Sequence, residues 1–209
     1  MNDSYNQIAA RGLERIAALS DGLFAIAMTL IVLEIRVPDP GVIHSDGDLW
    51  RALGLLTPKI VTYLLSFLTL GIFWSGQQTQ LNHYRQADRH LSWINIAFLA
   101  GVATMPFSAS LLADFIQLRT ALLIYWANIF FCGSLLYASW AYATRAGLLK
   151  PDTGPDVGRL IRRRIVVAQV LYAFGALLCF IDTSWSIAWI VLVQLNFAIA
   201  PRIPYLHRI

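Results

Sequence analysis

Apolar stretches of about 20 residues recur along the chain, and that is the length a helix needs to cross a bilayer core of roughly 30 Å. The first, RIAALSDGLFAIAMTLIVLEI from Arg15 to Ile35, already poses a problem: a serine and an aspartate interrupt it. In hydrocarbon every backbone polar group must be satisfied within the protein, so only helices and closed barrels cross. The runs are continuous rather than alternating, which excludes barrel strands. Charged residues make up 13% of the 209-residue chain, about half the usual share for soluble domains. The chain reads as an all-α integral membrane protein.

Six spans are expected, at about 16–36, 58–80, 91–113, 119–144, 164–181 and 185–201. Only Asp182, Thr183 and Ser184 separate the last two, and four spans plus a long hairpin is the alternative. With six, Arg11, Arg15, Arg85, Arg89, Arg145, Lys150, Arg159, Arg162, Arg163, Arg164, Arg202 and Arg208 fall on one side. Arg36, Arg51, Lys59 and Arg119 fall on the other. Positive charge marks the cytoplasmic face, which places both termini there. The opposite loops hold Glu34, Asp39, Asp46, Asp48, Asp114 and Asp182, a weakly acidic outer mouth.

The remaining features narrow the function by exclusion. RLIRRR at 159–164 is a juxtamembrane cluster, which reads as a topology signal or a contact with anionic lipid rather than with nucleic acid. Cys132 and Cys179 sit inside spans as small apolar residues, with no disulfide or zinc spacing. Asp21 and the absence of a small-residue cleavage site after Ile35 argue against a cleaved signal peptide. The loops at about 37–57 and 145–163 are turn-rich and hold no further domain, so residues 1–209 form a single domain. His83, Arg85, Asp88, Arg89 and His90 match no metal or phosphate motif and read as a solvated loop. Neither an enzyme nor a cofactor site is expected.

Ionisable and polar residues inside a span are costly and mark function or mutual pairing. The first helix carries Arg15, Ser20, Asp21, Thr29 and Glu34. At about 100° per residue from Ile26, the residues Leu19, Gly22, Thr29, Leu30 and Leu33 lie within about 60° of it, whereas Ser20 lies near about 120° and Asp21 near about 220°. One face thus carries an apolar stripe with a single threonine. Another offers a hydroxyl and a carboxylate to neighbouring helices. Ordinary core packing would account for the stripe equally well.

Arg15-x-x-x-Leu19-Ser20-Asp21 resembles the R-x-x-x-F-S-D signature of the transmembrane protein 175 family of potassium channels, in its single-repeat bacterial form. Phe73-Trp74-Ser75-Gly76-Gln77-Gln78 stands where that family tends to carry W-x-x-H-H, and Asn95 with Met105-Pro106-Phe107-Ser108 resembles its N…PF-[ST] pattern. Leu19 replaces the signature phenylalanine, and Gln77 with Gln78 replaces the histidine pair; glutamine cannot titrate. The resemblance implies a cation channel without a T-V-G-Y-G carbonyl filter, and the chain has no such loop. It further implies a homotetramer in the bacterial inner membrane, surrounded by membrane lipids, passing potassium and other monovalent cations through a pore lined by the first helix of each subunit. Ile26 then forms the constriction, followed by Thr29, Leu30 and Leu33. Arg15, Ser20 and Asp21 would form a buried network with Trp74, Gln77, Gln78 and Asn95. The alternative is a proton-coupled or proton-leak transporter using the intramembrane Asp21.

Overall fold

The computed structural model describes residues 2–199, and side chains within them from 12 to 198. Among these residues eight α-helices follow one another: α1 (Asn2–Val32), α2 (Asp46–Leu55), α3 (Thr57–His83), α4 (Arg89–Ala103), α5 (Met105–Asp114), α6 (Arg119–Arg145), α7 (Pro155–Leu177) and α8 (Thr183–Ile199). No strand occurs among the described residues; the single β-bridge joins Tyr84 to Leu149. Five stretches are long and apolar enough to cross a membrane, Gly12–Val32, Thr57–His83, Arg89–Asp114, Arg119–Arg145 and Pro155–Phe180, and Thr183–Ala198 forms a shorter apolar helix. The expected end of the last span at 201, and Arg202 and Arg208, lie outside the described residues.

Three local differences from the sequence expectation have physical causes. The expected span at 91–113 is two helices, α4 and α5, broken at Thr104. Pro106 has no N–H to give the carbonyl of Val102, and a proline inside a helix costs about 3 kcal/mol, so the chain restarts with Pro106 in the first turn of α5. Asn128 on α6 faces this break. With its carboxamide oriented by its partners, the nitrogen donates to Gly101 O at 3.0 Å and the oxygen accepts from Met105 N at 3.3 Å. Second, α7 begins at Pro155 rather than near 164, because Gly154 and Pro155 form a ready helix start. The RLIRRR cluster is therefore helical. Third, the loop after α1 contains α2, capped by Ser45, whose hydroxyl accepts from Asp48 N at 3.2 Å.

The long helices alternate in direction. At one end Lys59 of α3 pairs with Asp114 of α5 at 3.0 Å, and Ser110 of α5 donates to Glu34, just past α1, at 3.0 Å. At the other end Arg85 N donates to Leu148 O at 2.8 Å and Lys150 N to His83 O at 2.9 Å, tying the α3–α4 connection to the α6–α7 connection. Helix α1 packs on α3, α4 and α5, while α7 and α8 sit on the far side against α6 and α3.

Candidate functional site

The buried positions of α1 are Ile16, Ser20, Phe24, Ala27 and Ile31. On the helical wheel they occupy an arc from about 80° to about 160° from Ile26, and the three- and four-residue steps between them are the spacing of one helix face. The stripe is turned the other way. Leu19 is 50% exposed, Ile26 55%, Leu30 45% and Leu33 68%, and Thr29 is exposed with them. Within the single chain, then, these side chains are no part of the core. The Thr29 hydroxyl donates back to Ile26 O at 2.9 Å and lies 3.0 Å from Ala25 O. A hydroxyl used as donor in this way keeps oxygen lone pairs available as acceptors.

Ser20 stands at the centre of the buried arc, and a line of hydrogen bonds starts from it. Its hydroxyl donates to Gln77 Oε1 on α3. Gln77 Nε2 donates to Asn95 Oδ1 on α4 at 3.1 Å. Asn95 Nδ2 donates to Leu91 O at 2.9 Å and reaches Ser139 Oγ on α6 at 3.4 Å. Ser139 Oγ lies 3.0 Å from the Tyr84 hydroxyl, which donates to Gln80 Oε1 at 2.8 Å. Gln80 Nε2 closes the line on Leu136 O at 3.0 Å. Ser20, Gln77, Gln80, Asn95 and Ser139 are all buried, and each finds a partner, as a polar side chain out of contact with water must.

This polar layer lies between two apolar clusters. On one side are Phe24, Phe73, Phe98 and Leu136, with Phe98 6.1 Å from Phe24 and 6.0 Å from Phe73, ring centre to ring centre. On the other side are Ile16, Leu81, Leu91 and Trp140, with Tyr84 stacked on Trp140 at 6.0 Å. Each of the four helices passes from one cluster to the other within about two turns, and its polar residue occupies the intervening level. A helix sliding along its neighbours would carry its polar group into an apolar level, so the layer specifies register.

Asp21, one residue beyond Ser20, is rotated by about 100° and leaves the buried face. It is exposed at the edge of α1. Trp74 Nε1 and Gln78 Nε2, both on α3, donate to the same oxygen, Oδ1, at 2.8 and 2.7 Å. The expected single buried network therefore divides into a neutral buried line through Ser20, Gln77 and Asn95, and a separate group at the helix edge, with Asp21 and Trp74 exposed and Gln78 half-buried. Arg15 is exposed and forms no ion pair with Asp21 among the described residues. Ser139, Gln80 and Tyr84 were not singled out from sequence. The signal for two of them was the spacing: Gln77, Gln80 and Tyr84 follow at three and four residues along one face of α3.

A second buried polar group joins the far side. The Tyr125 hydroxyl on α6 lies 3.0 Å from Thr69 Oγ1 and accepts from Ser66 Oγ at 3.3 Å, and Gln194 Nε2 on α8 donates to Thr69 Oγ1 at 2.5 Å. These bonds fix α3, α6 and α8 together away from the exposed face of α1. No group of three or more His, Cys, Asp or Glu that could hold a metal ion occurs among the described residues.

The sequence model of a family described as endosomal/lysosomal potassium channel TMEM175 matches residues 15–106, from the start of the α1 motif to Pro106. A potassium channel of Streptomyces collinus is 31% identical over 179 residues, covering 83% of this chain and 85% of that one. The endosomal/lysosomal proton channel TMEM175 of Rattus norvegicus is 34% identical over 139 residues, which are 62% of this chain but only 28% of that protein. A crystal structure of a lysosomal potassium-selective channel TMEM175 homolog from Chamaesiphon minutus aligns with a TM-score of 0.78 at 25% identity, covering 91% of this chain and 98% of that one.

Proposed function

The chain belongs to the TMEM175 family of potassium channels, and from that premise we propose that it forms a homotetramer conducting potassium passively through a central pore lined by α1 of each subunit. Its family and its structural neighbour are ion channels, not enzymes. In this reading α8 is the sixth span: its 17 residues extend about 26 Å, near the lower limit for crossing. Both termini are then cytoplasmic, in a bacterial inner membrane.

The observation that carries the proposal is the outward orientation of Ile26, Leu30 and Leu33 on a helix whose opposite face is locked into the bundle. One protomer supplies a single such face, and cyclic assembly brings identical side chains around an axis. A ring of isoleucines forms a dewetted constriction that passes partly dehydrated ions when it widens. Thr29 adds hydroxyl oxygens one turn beyond. The polar layer and the Glu34–Ser110 bond hold α1 at two levels, so that the ring stays at a fixed height.

Proton movement on Asp21 is the second reading, favoured by the exposure of that carboxylate on the protomer surface. Reconstituted protein in planar bilayers with asymmetric potassium and sodium separates the two. A channel of the proposed kind gives a reversal potential displaced toward the potassium equilibrium value, with current that persists at symmetric pH. A reversal potential following the proton gradient alone, lost in Asp21→Asn, supports the second reading and removes the first.

A further inference from the structure

A narrow cleft, partly open to the surroundings, runs between α3, α6, α7 and α8 on the side away from α1. Along α7 it extends from Arg164 past Ala168 to Tyr172, eight residues or about 12 Å. Phe73 and Leu136 line its wall and Phe197 its end beside Arg164. The Arg164 guanidinium lies 5.8 Å above the Phe197 ring. Arg163 and Arg162 stand beside it on the same turn, both exposed, while Arg159 pairs with Asp156.

One polar group interrupts the apolar length. The Oε1 atom of Gln169 is buried without a hydrogen-bond partner. Its carboxamide fits against the backbone of α6 only because residue 133 is glycine: a Cβ there would stand 1.8 Å from Gln169 Nε2.

We propose that this cleft binds an anionic phospholipid, with the phosphate held by Arg164 and one acyl chain running along Ala168, Phe73 and Leu136 past Gln169. Charge complementarity selects this occupant, since basic pockets between membrane helices attract anionic headgroups. A zwitterionic lipid brings no net charge to the arginines. Residues 200–209 of the chain carry Arg202 and Arg208, of the same sign as the site. The proposal rests on the membrane-spanning reading of α7, not on conduction.

The test is the thermal unfolding of the full chain, purified in neutral detergent and delipidated, with phosphatidylglycerol, phosphatidylcholine or soluble glycerophosphate added. Phosphatidylglycerol is expected to raise Tm by about 5 °C, the scale of a near-saturating ligand on a chain of this size, and the other two by less than about 1 °C. Arg164→Gln removes the shift by removing the phosphate partner. Ala168→Phe removes it by filling the cleft, and Ala168→Leu serves the same purpose if the larger side chain prevents folding. An equal rise with phosphatidylcholine overturns the proposal, as does a rise with glycerophosphate alone, which would mark a free anion site. So does a shift that persists in either the arginine or the cleft-filling variant. Because the readout needs no ion flux, a failure of conduction and a failure of lipid binding are distinguishable.

Discussion

Gln78 of α3 and Asp21 of α1 meet through a 2.7 Å hydrogen bond at the edge of the protomer, where the buried face of α1 gives way to its outward face. Trp74 reaches the same oxygen at 2.8 Å. An exposed carboxylate held by two fixed donors is an anchor for helix orientation, placed away from the Ile26 stripe.

Asp21→Asn keeps an acceptor oxygen and loses the charge that strengthens both bonds. We expect a loss of about 1 kcal/mol, read as a Tm lower by about 2–4 °C and a smaller oligomer fraction on native gels, with the reversal potential unchanged. Normal assembly and normal Tm with a shifted reversal potential would instead put the carboxylate in contact with the ion.

Gln77→Leu removes the residue that joins Ser20 to Asn95 and leaves both without that partner inside the bundle. The expected cost is about 1–3 kcal/mol in denaturant unfolding of the detergent-purified protein. Ser20→Ala should cost less, since Gln77 retains Asn95. If Gln77→Leu is as stable as the parent chain, the polar layer contributes no net stability and its role in register fails.

Ile26→Ala should raise conductance and weaken discrimination between potassium and sodium, and Ile26→Cys should make the current sensitive to small cationic thiol reagents. Because Ile26 lies outside the protomer core, truncation should change stability by no more than about 0.5 kcal/mol. Phe24→Ala, two residues away and 2% exposed, should cost about 3–5 kcal/mol. Unchanged permeation together with an unreactive thiol would take Ile26 out of the pore.

Asp182, between α7 and α8, has its carboxyl held below its ordinary value of 3.8 by the Ser184 hydroxyl and then by the Ser184 backbone N–H, which lies 2.7 Å from Oδ1. A depressed carboxyl pKa stabilises the fold above the unfolded value, and the contribution is lost as pH falls through the folded value. Asp182→Asn should therefore flatten the dependence of Tm on pH below about 4 and leave its slope near neutrality unchanged. A parallel displacement of the whole curve would mean that the carboxyl's charge is not involved.

The sequence by itself determined the helical class and most of the spans. In an apolar solvent the backbone must satisfy itself within each segment, so a run of about 20 apolar residues has one outcome. It also determined the stripe of Ile26, Leu30 and Leu33, because periodicity along a helix is a local property. Helix α2 and the early start of α7 were legible only through their capping residues Ser45 and Gly154-Pro155. The tertiary structure alone decided which polar residues are buried and with whom they pair. Ser20 and Asp21 are neighbours in sequence, yet one lies inside and the other at the surface, because a single step turns the side chain by about 100° and α3 and α4 stand only on one side. Gln77 for Ser20, Gln77 and Ser139 for Asn95, and Ser139 for Tyr84 are partners on other helices, and no local preference encodes them. Side-chain pairing across a bundle is set by where whole helices come to rest, and that follows from packing summed over all of them.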